Sequence, residues 1–103
     1  MSATRIEALK RMISEHPNDA MARFMLATEL HKKGNFEDSV VHLEAYLKLK
    51  QDEGPAYRLL GDALLSLGKT KEARWAFRHG VEAAREHGHL ALAQALEKKL
   101  ESL

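Results

Sequence analysis

The sequence contains no cysteine. A disulfide framework, a thiolate nucleophile and cysteine-ligated zinc are therefore excluded, and a reducing compartment fits. Backbone breakers are also scarce, with two prolines and six glycines in 103 residues. An excess of charge of one sign is missing: 16 Lys and Arg against 15 Asp and Glu leave a net charge of +1. No global field draws the chain toward nucleic acid or an anionic membrane. Six histidines add positive charge only below about pH 6.5. Long hydrophobic runs are absent as well. The longest near-apolar stretch, Ala20 to Leu30, is broken by Arg23 and Glu29, whereas a membrane span needs about 20 apolar residues. Met1 to Ile13 lacks the apolar block and small-residue cleavage site of a secretory signal, and Glu7 argues against a transit peptide. A cytoplasmic location without membrane association is expected.

What is present favours helix. Hydrophobic residues make up 45% and charged residues 30%, a balance that folds rather than one that stays disordered. Ala, Leu, Glu, Lys and Arg, all good helix formers, dominate. Turn residues divide the chain evenly at Pro17-Asn18-Asp19, Gly34-Asn35, Gln51 to Pro55, Gly68-Lys69-Thr70 and Gly88. Between them apolar residues recur every three to four positions, which predicts six helices, over about 3–15, 18–33, 36–50, 54–67, 70–86 and 89–102. Strict alternation over strand length does not occur, so the fold class is all-α.

Shifting the chain against itself by 34 residues pairs Ala22 with Ala56, Leu26 with Leu60, Leu30 with Leu64 and Gly34 with Gly68. A period of this size marks stacked supersecondary units, none of which can bury its apolar face alone. These residues resemble the tetratricopeptide repeat (TPR) family. Its pattern W-x2-L-G-x2-Y…A-x3-F…P is met by Tyr57-x2-Leu60-Gly61-x2-Leu64, then Ala73-x3-Phe77, with Arg85 at the proline. A weaker copy runs Arg23-x2-Leu26-Ala27-x2-Leu30, then Ser39-x3-Leu43, with Gln51 at the proline. The resemblance implies one domain over 1–103, a right-handed array of antiparallel helix hairpins forming a short α-solenoid. In it, 3–17 is a helix like a half repeat, 18–51 is repeat 1, 52–86 is repeat 2, and 88–103 is a C-terminal capping helix. The last helix runs two residues out of phase, with Leu92-Ala93 and Leu96 facing back and Lys98, Lys99 and Glu101 facing water.

The helix over 18–33 is apolar nearly all round: Ala22, Leu26, Ala27 and Leu30 form an inner face, while Met21, Phe24, Met25 and Thr28 cover a second. Similarity to TPR proteins implies a concave groove lined by the first helix of each unit, holding a peptide or helix of a partner protein. The groove residues carried across are Met21, Phe24, Thr28, His31, Arg58, Asp62 and Leu65. Methionine and phenylalanine supply an adaptable apolar floor, and Arg58 a forked donor. Phe24 and Met25 either line that groove or pack on neighbouring helices. Groove sites that clamp a terminal carboxylate use Lys and Asn where Phe24 and Thr28 stand, so that ligand class is not expected. A non-catalytic interaction module is the leading reading. Alternatives are a self-associating homodimer and an RNA-binding accessory protein that uses the stripe Lys71, Arg74 and Arg78. Nucleic acid is disfavoured because the stripe is expected to lack interleaved exposed aromatics and carries no known nucleic-acid motif.

Trp75, one step off the buried line of its helix, is expected to pack beneath the C-terminal helix, the alternative being an exposed interface anchor. Gly80 inside the same helix points to close helix packing. Gly68-Lys69-Thr70 matches the end of a phosphate-binding loop only superficially: six residues separate it from Gly61 where that motif has four, and no strand precedes it. His87-Gly88-His89 offers two imidazoles where a metal wants three or four ligands, with His79 roughly 12 Å along the helix. No enzyme, metal or cofactor is expected.

Overall fold

The computed structural model describes the backbone of residues 2–103 and the side chains from Arg5 onward. Six helices follow one another: α1 (Ser2–Glu15), α2 (Ala20–Lys32), α3 (Phe36–Leu49), α4 (Pro55–Ser66), α5 (Thr70–Glu86) and α6 (Leu90–Glu101). Among the described residues there is no strand. The chain divides into two compact units, Met1–Lys50 and Gln51–Leu103.

In the first unit α2 packs against both α1 and α3. Ile6, Leu9 and Ile13 recur at helical spacing on α1 and close on Ala22, Leu26 and Leu30 of α2, with Met25 partly buried beside them. Ser39 on α3 is fully buried, and its hydroxyl donates to the Ala27 carbonyl at 2.9 Å, which removes the cost of hiding a polar group. Asp19 starts α2 by accepting the Ala22 N–H at 3.0 Å. That cap puts Asn18 and Asp19 outside the helix, two residues later than the spacing predicts.

In the second unit α5 packs against α4 and α6. Phe77, fully buried, lies directly over Gly61: a Cβ there would come within 2.3 Å of the ring. Gly80 receives Leu96 in the same way, a Cβ falling 2.8 Å from its Cδ1. Close approach at these two glycines is what the repeat's small residues provide. The expected phase of α6 holds, since Ala93 and Leu96 are buried.

Gly34, Gly68 and Gly88 close their helices in one identical way. At Gly68 the φ angle is +76°, its N–H donates to the Leu65 carbonyl at 2.9 Å, and the Lys69 N–H donates to the Leu64 carbonyl at 2.8 Å. This is a Schellman cap. It accounts for Gly68-Lys69-Thr70 as a turn between helices.

Two sequence expectations are corrected. Trp75 is 51% exposed rather than covered by α6. Leu96 of α6 seats on Gly80, five residues and about 140° round the helix from Trp75. Lys99 was expected to face water with Lys98 and Glu101, yet it is half-buried. Its Nζ bonds Asp62 Oδ1 at 2.6 Å and stands 5.6 Å from the centre of the Phe77 ring.

Candidate functional site

Helical geometry sorts the seven expected site residues into two sets, one on each unit. On α2, Met21, Phe24, Thr28 and His31 follow at steps of three and four residues and so share one face. Met21 is 57% exposed. Phe24 is half-buried, its ring 5.1 Å from that of Tyr46 on α3. Thr28 donates its hydroxyl to the Phe24 carbonyl at 2.9 Å, so that group is satisfied by its own helix. His31 meets Phe36 edge-on at 5.1 Å, and its buried Nδ1 has no hydrogen-bond partner. The face is therefore apolar at Met21 and Phe24 and polar toward His31. Phe24 is shared between the surface and the α2–α3 packing.

On α4, Arg58, Asp62 and Leu65 also share a face. Arg58 is exposed and Leu65 half-buried. Asp62 is held by Lys99 of α6, a pairing that a reading of local spacing misses because 37 residues separate the two. The electrostatic character of this face is thus an exposed guanidinium beside a formed ion pair.

Arg23, at the position where the repeat pattern has an aromatic, turns back onto its own unit. Its Nη1–H donates to His42 Nδ1 at 3.3 Å and its Nη2–H to the Pro17 carbonyl at 3.4 Å. Burial, with Arg23 and then Lys10 adding positive field, pushes the His42 pKa below its ordinary value, and Asp38 opposes them without prevailing. His42 is therefore a neutral acceptor for Arg23.

A cluster that the sequence reading did not assemble lies on the second unit. Trp75 and His79, one turn apart on α5, bring their rings to 4.0 Å, and Tyr57 of α4 stands 6.4 Å from the first and 5.9 Å from the second. Burial and the nearby Asp52 carboxylate raise the Tyr57 pKa. The spacing of Trp75 and His79 was the one local signal for this cluster. His87 and His89 stack at 6.5 Å, with His89 Nε2–H donating to Glu53 at 2.6 Å. Among the described residues no three His, Asp or Glu side chains converge to hold a metal ion, and no helix is long and apolar enough to cross a membrane.

Comparison with known proteins fits this architecture. The sequence model of the tetratricopeptide repeat family matches residues 1–84. A TPR repeat-containing protein of Pseudomonas aeruginosa is 29% identical over 83 residues, covering 81% of this chain and 79% of that protein. The crystal structure of MamA protein superposes with a TM-score of 0.76 at 23% identity, over 85% of this chain and 48% of that one. The chain thus spans about half the length of the solved chain, and the likeness is one of fold.

Proposed function

This chain belongs to the tetratricopeptide repeat family, and from that premise we propose that it is a non-catalytic interaction module that binds a peptide or helix of another protein. The observation that carries the reading is the α2 face, where Met21 stays 57% exposed next to half-buried Phe24. A flexible thioether beside an aromatic edge suits an apolar side chain presented at helical spacing. Met21, Phe24, Thr28 and His31 are the proposed contacts of the first unit, and Arg58, Asp62 and Leu65 those of the second. Arg58 would fork onto a carboxylate or carbonyl of the partner. Asp62 enters together with Lys99, the pair offering one acceptor and one donor.

Affinity purification from the native lysate, compared between the wild-type chain and two variants, tests the reading. Phe24→Asp and Met21→Glu both lose the recovered partner, with helicity by circular dichroism retained. Met21 is the cleaner site, because its exposure leaves no packing to disturb. Equal recovery by Met21→Glu and wild type overturns the α2 assignment.

A second reading, self-association, is favoured by α3. Val41 and Leu49 are 57% and 40% exposed, with Ala45 between them at helical spacing, beside a cleft of about 460 Å³. Such a stripe could serve a symmetric contact between two copies.

A further inference from the structure

The second unit holds a cleft that neither the α2 nor the α4 face uses. It lies between the turn leading into α4 and one side of α5, encloses about 150 Å³, and is lined among others by Asp52, Tyr57, His79, Glu82, Glu86 and His87. That is well above the ~10–15 Å³ that a single water occupies. Among the described residues no lysine or arginine lines it.

Its chemistry is that of an acceptor. His79 Nδ1–H donates to the Trp75 carbonyl at 3.0 Å, and His87 Nδ1–H donates to the Ala83 carbonyl at 2.9 Å. A carbonyl can only accept, so Nδ1 carries a hydrogen in both rings and is already used within α5. Three carboxylates, Asp52, Glu82 and Glu86, add negative charge, and Tyr57, whose pKa is raised first by burial and then by Asp52, lies against the first of them. One wall is aromatic: Tyr57 and His79 line the cleft, and Trp75, 51% exposed, extends the surface beyond His79. An anion or another acceptor is repelled here. A planar cation rich in N–H groups satisfies every feature at once, through stacking on the rings and forked hydrogen bonds to carboxylates.

We propose that this cleft takes the guanidinium of an arginine in a partner protein, its plane against Tyr57 and His79 and its N–H groups on Glu82 and Glu86. Arginine fits better than lysine because the site pairs aromatic ring faces with several separated acceptors, which a point ammonium cannot span. The contact lies on the second unit and stands or falls independently of the α2 face.

The chain's single tryptophan makes the test direct, since Trp75 touches His79 and its emission reports occupancy. The full chain is titrated with acetyl-Gly-Gly-Arg-Gly-Gly-amide and with the same peptide carrying citrulline or lysine in place of arginine. The arginine peptide gives a saturable change in Trp75 emission, with the amide signals of His79, Glu82 and Glu86 moving alongside it in nuclear magnetic resonance spectra. Citrulline, which keeps the shape and loses the charge, binds at least about tenfold more weakly, as does the arginine peptide to a Glu82→Gln, Glu86→Gln variant. Both glutamates are exposed, so that variant keeps the helical signal of the wild type. Equal titration by the citrulline peptide, an unchanged affinity in the double variant, or no saturation up to about 10 mM peptide overturns the proposal. A lysine peptide that binds as well as the arginine peptide overturns the guanidinium assignment.

Discussion

His42 ties the stability of the first unit to pH. In the folded chain it is half-buried, accepts a hydrogen bond from Arg23, and is held below its ordinary pKa by burial, Arg23 and Lys10 against the weaker pull of Asp38. In the unfolded chain it titrates near 6.5. Between those two values the unfolded state binds more protons. The stabilisation is therefore complete above about pH 6.5 and is lost as pH falls through the lower folded value. The urea midpoint measured from about pH 7.5 down to pH 5 should decline. A His42→Gln variant, whose amide oxygen can still accept from Arg23 and does not titrate, should decline less steeply. Parallel slopes for the two proteins would show that His42 does not carry the effect. The same environment explains why Arg23, which occupies the aromatic position of the weaker repeat, is spent inward on His42 and the Pro17 carbonyl.

At the scale of the element, the three Schellman caps are the strongest link between sequence and structure. Gly68 has φ +76°, and a Cβ there would meet nothing within 4 Å. The cost of replacing it is therefore one of backbone conformation alone. Gly68→Ala should destabilise by about 1–2 kcal/mol, and Gly68→Asn by less, because asparagine tolerates the left-handed region. Thermal unfolding should rank the three as glycine, then asparagine, then alanine, and an alanine variant as stable as wild type would contradict the cap. Such glycines, together with the 34-residue register, are why the six helices are legible in the sequence. The repeat sets Gly61 against Phe77 and Gly80 against Leu96, a small residue on one helix facing a large one on the next. Lys99 escaped that logic. A lysine near a helix end reads as solvated, and only the packing of α6 brings it to Asp62 and the Phe77 ring. Trp75 differs from expectation for a related reason: the helical period places it one step off the buried stripe, and only the packing of α6 on Gly80 decides that this step is left uncovered. The arginine cleft was invisible because its lining comes from a turn and two helices, with Tyr57 and His79 separated by 22 residues. The α2 face was legible as apolar excess, yet the sharing of Phe24 with Tyr46 was not.

At the scale of the whole molecule, the near-zero net charge conceals local segregation, with a basic stripe and an acidic cleft on the same helix, α5. Lys71 and Arg78 are exposed, while Glu82 and Glu86, one and two turns farther on from Arg78, line the cleft. Charges separated in this way guide partners of defined chemistry without giving the chain a general attraction for polyanions. Exposed apolar surface is the other whole-molecule property, and it separates the two functional readings. Met21 on α2 and the Val41 to Leu49 stripe on α3 are available to a partner or to a second copy. A module that awaits a different protein should remain monomeric at 11.6 kDa through a dilution series followed by light scattering. A mass that climbs with concentration and returns to the monomer value in a Val41→Lys, Leu49→Lys variant would instead assign the α3 stripe to self-association. Because both residues are exposed, the substitutions add charge to the surface without opening the core, so the scattering result reads the contact and not the fold.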